Sequence, residues 1–250
     1  MAPESRLAEA RALGHSAGLA DADLNAGGFQ LFALLRQREQ GERLRVYIEG
    51  DGAPWIWPHL PPEDPTPAKP LALRLAARDP GGRVAYLARP CQYFSSSACR
   101  SELWTTGRFG PEVVATYQIA LDRLKARTGA GRLSLVGYSG GGVLAALLAE
   151  SRSDVAELLT VAAPLDTDAW TRHHQVTPLD GDNPAAGAAR LRTLAQRHWV
   201  GGDDEVVPAT VVRPFAEGSA AVVEVVPGYD HECCWADDWP HRLGESGHDH

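Results

Sequence analysis

Residues Gly137-Tyr138-Ser139-Gly140-Gly141 place a serine inside a G-x-S-x-G pentapeptide. An apolar run, Leu133-Ser134-Leu135-Val136, precedes it, and a helix-forming run, Val143-Leu144-Ala145-Ala146-Leu147-Leu148-Ala149, follows. Strand, sharp turn and helix are thus written in succession. Such a turn forces the serine into a strained backbone conformation and lifts its hydroxyl clear of the sheet. The flanking glycines are needed because a Cβ there would meet the neighbouring strand or helix. The chemistry this suggests is attack of a serine hydroxyl on a carbonyl carbon.

A serine hydroxyl is a weak nucleophile near neutral pH. It needs a base to take its proton, a carboxylate to orient that base, and donors for the developing oxyanion. Open α/β sheets place such groups on loops after the carboxyl ends of strands. Asp204, in Gly201-Gly202-Asp203-Asp204-Glu205-Val206-Val207-Pro208, follows a predicted strand and is the candidate carboxylate. Asp203 is its rival, and the G-x-x-D-x-x-V-P spacing favours Asp204. His231 follows the last predicted strand and is the candidate base. His59, His173, His174 and His198 all precede Asp204, whereas His241, His248 and His250 lie toward the chain end, where termini fray. The backbone N–H of Gly140 is one candidate oxyanion donor. The second comes from the loop Glu49-Gly50-Asp51-Gly52, with Asp51 first and Gly52 as the alternative. A carboxylate beside an oxyanion is unfavourable, so the Asp51 side chain is expected to turn away. A phosphate-loop reading fails, because Gly137 to Gly142 is not followed by Lys-Ser or Lys-Thr.

These groups require a scaffold of alternating strands and helices. Helical spacing over residues 5–20 predicts an N-terminal helix. Phe29 to Leu35 and Leu44 to Ile48 read as strands, Leu71 to Ala77 as a helix and Val84 to Ala88 as a buried strand. Pro58 to Pro70 is proline-rich, and Pro90 to Gly110 reads as a long loop. Pro111 to Arg127 is a predicted helix whose proline sits where a missing N–H is harmless. Further on come a strand at Glu157 to Ala162, a helix at Ala185 to Ala195, a strand at Gln196 to Val200, a helix at Ala209 to Gly218 and a strand at Ala221 to Val226. The alternation predicts an α/β fold with a mostly parallel sheet covered on both faces. The poorly periodic segment 164–184 is a candidate small lid or binding loop. No large cap domain is expected. The chain is expected to form a single domain over 1–250, with a frayed tail at 244–250.

Composition excludes several classes. The chain has 250 residues, enough for a full core, and is 44% hydrophobic and 22% charged, both globular values. Its net charge of −8 argues against a nucleic-acid partner. No apolar run reaches the roughly 18 residues of a membrane helix, so no membrane span is expected. Met1 to Leu19 shows no basic start followed by an apolar stretch, hence no visible signal peptide; a mature form lacking its signal would read the same. The sequence sets no oligomeric state.

The four cysteines form two local pairs, Cys91 with Cys99 and Cys233 with Cys234. Such pairing fits an oxidising compartment, and the alternative is four reduced thiols packed as small hydrophobes. A Cys91–Cys99 bridge would stiffen one wall of the cleft. Cys233-Cys234 either bridges to itself, bracing or sensing at the histidine loop, or packs as two thiols. No metal site is expected, since C-x-x-C spacing is missing. Trp55, Tyr138 and Trp170 are the candidate pocket-lining side chains, with Trp57 and Trp104 nearby in sequence.

Taken together, Val46-Tyr47-Ile48-Glu49-Gly50-Asp51-Gly52, Leu87-Ala88-Arg89-Pro90-Cys91-Gln92-Tyr93, Gly137-Tyr138-Ser139-Gly140-Gly141-Gly142, Gly201-Gly202-Asp203-Asp204 and His231-Glu232-Cys233-Cys234-Trp235 resemble the α/β-hydrolase superfamily. More narrowly they resemble small bacterial hydrolases, some of them lipoprotein-like. The resemblance runs from about Phe29 to about Trp239. It implies a sheet of about eight strands with helices on both faces and a Ser139-Asp204-His231 triad needing no cofactor. The lipoprotein-like members imply export, which agrees with the paired cysteines. Glu49-Gly50 stands where lipases carry His-Gly. The function implied is cleavage of a small-molecule carboxylic ester through an acyl-enzyme. Peptidase, thioesterase and acyltransferase chemistry use the same triad, and a non-catalytic binding protein could keep the fold.

Overall fold

The computed structural model of the chain describes residues 3–53 and 60–245. In chain order the elements are α1 (Pro3–Ser16), β1 (Ala20–Asp21), β2 (Leu24–Ala26), β3 (Phe29–Leu31), β4 (Ala33–Gln37), β5 (Arg43–Ile48), α2 (Leu71–Arg78), β6 (Arg83–Leu87), α3 (Pro111–Thr128) and β7 (Arg132–Tyr138). The second half adds α4 (Gly140–Ser151), β8 (Val155–Val161), α5 (Thr167–His174), α6 (Pro184–Gly187), β9 (Ala195–Gly201), α7 (Arg213–Ser219), β10 (Val223–Val226) and α8 (Trp235–Glu245).

Eight strands form one sheet in the order β1-β4-β6-β5-β7-β8-β9-β10. The β1–β4 and β4–β6 pairs are antiparallel, and every pairing from β6 to β10 is parallel. From β5 the chain first goes to β6 on one side and then to β7 on the other. That reversal opens a crevice at the carboxyl ends of β5 and β7, the usual ligand position in such sheets.

Both faces of the sheet are covered, which is why its strands read as near-continuous apolar runs. Leu44, Val46 and Ile48 of β5 and Leu135 of β7 point to one face, against Val113, Tyr117 and Leu121 of α3 and the buried stripe of α4. Tyr47 and Val136 point to the other, against α1, α2 and the buried Trp235 and Trp239 of α8. The period-2 alternation of strand side chains produces this division. Among the described residues no large cap covers the carboxyl edge, and no helix is long and apolar enough to cross a membrane.

Several elements differ from the sequence expectation. The N-terminal helix stops at Ser16, because Gly18 adopts a left-handed φ of 78° and the chain turns into β1. Phe29 to Leu35 is two strands rather than one. Phe29–Leu31 folds back on Leu24–Ala26 across Gly27-Gly28, whose φ values of 58° and 88° suit a tight hairpin. The segment 164–184 contains helix α5, whose start is capped by the Asp166 side chain accepting from the Ala169 N–H at 3.0 Å. Ala185 to Ala195 and Ala209 to Gly218 each break into a 3₁₀ turn and a short helix. Helix α8 goes unforeseen: Pro240 and its charged residues mask an apolar stripe at Trp235, Ala236, Trp239 and Leu243. The tail 246–250 lies outside the described residues.

Glu150, near the end of α4, carries its carboxylate where a Cβ on Gly187 would sit, with Arg190 3.5 Å away. Burial pushes its pKa from 4.5 up to about 7, partly offset by Arg190. A raised folded-state pKa favours the protonated form, so this contribution to stability is full below about pH 4.5 and lost as pH rises through about 7. Urea unfolding of wild type and Glu150→Gln across this window is expected to show the wild type losing stability relative to the variant as pH rises. A constant difference would contradict it.

Candidate active site

The Ser139 turn is built by close backbone approach. Ser139 follows β7 and precedes α4 with a positive φ of 50° and ψ −125°, a conformation that residues with side chains rarely adopt. A Cβ on Gly137 would lie 2.3 Å from the Gly141 carbonyl oxygen, so only glycine allows the helix to start this close to the strand. The Ser139 N–H donates to the Val161 carbonyl at 2.9 Å, tying the turn to β8.

Three loops bring the other groups to this turn. The His231 Nε2 lies 3.1 Å from the Ser139 Oγ, and its Nδ1 lies 2.9 Å from Asp204 Oδ2. Asp204 follows β9 and His231 follows β10, and these strands are paired so that Gly201 sits beside Val226. The Asp204 side chain is fully buried; its Oδ1 accepts from the N–H groups of Val206 and Val207 at 2.9 and 2.8 Å, leaving Oδ2 for the imidazole. Asp203 is exposed, and the structure puts Asp204 rather than Asp203 against His231. The Tyr138 ring lies 5.3 Å from the His231 ring and backs it; burial raises the Tyr138 hydroxyl pKa well above its ordinary value. His198 shows the contrasting structural histidine. It is buried between Thr160 and Gln196, and burial pushes its pKa down to about 3.

The loop after β5 meets the Ser139 turn because β5 pairs with β7 and places Ile48 beside Gly137. No hydrogen bond within the described chain uses the N–H of Asp51 or of Gly140. The Asp51 carboxylate does not turn away from this region. Its Oδ1 lies 1.9 Å from where a Gly140 Cβ would be, so it packs on the Gly140 backbone. Its charge is matched instead: Arg89 Nη1 donates to Oδ1 at 2.8 Å, and Arg108 Nε lies 2.9 Å from Oδ2.

Glu49 is a residue whose part the sequence reading misses. Its buried carboxylate accepts from the N–H groups of Gly50 at 3.0 Å, Ala72 at 3.2 Å and Leu73 at 3.4 Å, and from the Tyr86 hydroxyl at 3.0 Å. It thereby fastens the loop to the first turn of α2, where free N–H groups and the helix dipole favour a negative charge. Burial raises its pKa, opposed by these hydrogen bonds. Gln92 is the second such fastener. It donates to the Gly50 carbonyl at 3.1 Å and accepts from the Arg89 N–H at 3.0 Å. Gln92 lies inside the loop closed by the Cys91–Cys99 disulfide, whose Cα atoms are 5.7 Å apart. The bridge therefore supports the loop after β5 through Gln92. Cys233 and Cys234 are bonded to each other, directly after the histidine loop.

Trp170, on α5, is half-buried, and its Nε1 donates to the Val206 carbonyl at 2.8 Å, next to the Asp204 loop. Trp104 donates to the Pro62 carbonyl at 2.9 Å. Trp55 and Trp57 lie outside the described residues. Among the described residues no group of three or more His, Cys, Asp or Glu could hold a metal ion.

Comparison with solved structures identifies the architecture. The chain is similar to the Pyrococcus furiosus esterase Pf2001, at 12% identity and a TM-score of 0.67 over 93% of this chain and 92% of that one. It is similar to XC6422 from Xanthomonas campestris, an α/β serine hydrolase without lid, at 15% identity and a TM-score of 0.58 over 92% and 90% of the two chains. Puromycin hydrolase matches at 18% identity and a TM-score of 0.63, covering 90% of this chain but 37% of that one. No protein-family model matches the sequence, and no curated protein matches it. The chain has the α/β-hydrolase fold.

Glu49→Gln preserves size but turns an amide N–H toward a socket lined with donors. Urea unfolding is expected to show a loss of about 2 kcal/mol, the scale of hydrogen bonds to a charged group. Unchanged stability would show that the carboxylate does not fasten the loop.

Proposed function

We propose that the protein is a serine hydrolase that cleaves small carboxylic esters through an acyl-enzyme. The observation that carries this reading is the continuous Ser139–His231–Asp204 chain of contacts at 3.1 and 2.9 Å. His231 Nε2 takes the Ser139 proton as Oγ attacks the ester carbonyl. Asp204, held by two backbone N–H groups, keeps the Nδ1 proton in place and favours the imidazolium that forms. The N–H groups of Gly140 and Asp51 receive the oxyanion. Both have no partner within the described chain, and such donors contribute about 10²–10³ in rate. His231 then protonates the leaving alcohol, and water, activated by the same imidazole, releases the acid. Neither a metal nor a cofactor enters these steps.

Small esters are favoured as substrates because no large cap is present among the described residues to enclose a long chain. The similarity to an esterase and to a serine hydrolase without lid agrees with this reading. Peptidase, thioesterase and acyltransferase activities remain separable by assay: para-nitrophenyl acetate and butyrate should turn over faster than matched anilides and thioesters. Ser139→Ala is expected to lower ester kcat/KM by at least about 10⁴, and Asp204→Asn by about 10⁴. Wild-type-like turnover in Ser139→Ala would overturn the proposal.

A further inference from the structure

One carboxylate beside the Ser139 turn is matched by two buried arginines. Arg89 is 4% exposed and Arg108 is 7% exposed. Arg89 is engaged at both terminal nitrogens: Nη1 holds Asp51 and Nη2 donates to the Arg108 carbonyl, while its backbone N–H donates to Gln92. That alone neutralises Asp51. Arg108 is under-used. Its Nη1 donates to the Thr105 carbonyl at 3.2 Å, its Nε touches Asp51 without a well-directed hydrogen bond, and its Nη2 has no partner among the described residues. The charges acting on it are those of Asp51 and Arg89, which leaves one positive charge in excess. Burying an unmatched cation is costly, and buried donors are normally satisfied.

The position of this guanidinium matters. One carboxylate and one ion-pair contact separate it from the Gly140 backbone. It also lies 5.4 Å from the centre of the Trp170 ring and 5.3 Å from that of Phe109, and Trp170 is bonded to the loop that carries Asp204. It therefore contacts Asp51 of the loop after β5 and the ring of Trp170, which is bonded to the Asp204 loop, and its Nη2 has spare donor capacity. A guanidinium in such a place is suited to planar, two-point binding of an oxyacid.

We propose that Arg108, flanked by Trp170, binds an anionic oxygen group carried by the substrate, so that the site prefers acidic esters over neutral ones of equal length. This rests on the Ser139 hydrolase reading. The shared chemistry is a carboxylate or a phosphoryl group, and the two are told apart by the substrate.

The test measures kcat/KM for para-nitrophenyl pentanoate, para-nitrophenyl hydrogen glutarate and para-nitrophenyl phosphonopropanoate, after subtraction of uncatalysed rates. The wild type is expected to favour at least one acidic ester over pentanoate by about tenfold, the scale of a charged hydrogen bond. Glutarate preference identifies a carboxylate and phosphonopropanoate preference a phosphoryl group. Arg108→Gln should abolish the preference, and Arg108→Lys should keep part of it. Free glutarate should inhibit wild-type pentanoate hydrolysis more strongly than glutaramide if the carboxylate is the ligand, and phosphonopropanoate more strongly than its neutral diester if the phosphoryl group is; these arms need no folded variant. A wild type that prefers pentanoate to both, or an acidic-to-neutral ratio unchanged in Arg108→Gln, would overturn the proposal. Failure of the hydrolase reading looks different, because no ester would then depend on Ser139.

Discussion

The parallel pairing of β5 with β7 is the constraint on which the rest of the site depends. It places Ile48 beside Gly137, so the loop after one strand and the turn after the other emerge side by side. The register is held by burial on both faces. Val46 and Leu135 pack under α3 and α4, while Tyr47 and Val136 pack under the helices of the opposite face. A slip of one residue would exchange the two sets, so the register is strongly specified. The reversal of strand order at this pair then leaves the crevice in which Ser139, Gly140 and Asp51 meet.

The loop after β5 is also a problem in electrostatics. Two carboxylates, Glu49 and Asp51, stand within three residues of each other near a position proposed for an oxyanion. Neither faces it as a free charge. Glu49 is consumed by α2 and Tyr86, and Asp51 by Arg89 and Arg108. Fixing these side chains leaves backbone N–H groups as the loop's contribution to the site. Gln92 and its disulfide-closed loop hold the same backbone from the other side.

Much of this was legible in the sequence, for reasons that differ by residue. The Ser139 turn is local: strand, glycines and helix are contiguous, and Gly137 answers a steric demand from Gly141 and Gly142, whereas Gly140 and Gly141 meet the loop after β5. The contacts of Asp204 and His231 with the Ser139 turn follow from their order after apolar strands, because parallel α/β topology converts chain order into place. Arg89 and Arg108 carried no such signal. Their meeting with Asp51 joins two loops, the one after β5 and the one between β6 and α3, and a lone arginine in a loop reads as solvated. Glu49 could have been suspected, since an acidic residue ending an apolar strand must find donors, yet its partners on α2 lie more than twenty residues away. Elements such as β2–β3, α6, α7 and α8 are short or carry proline, and they gain their structure from packing rather than from local pattern.

The central claim is that Ser139 forms a covalent acyl bond during turnover. Mixing the protein with para-nitrophenyl acetate, quenching in acid within the first turnovers and mapping the mass of its peptides tests this directly. The account predicts one acetyl group, carried by the peptide containing Ser139 and lost when Ser139 is replaced by alanine. Steady turnover with no acetylated Ser139, or with the acetyl group on another residue that turnover requires, would contradict it.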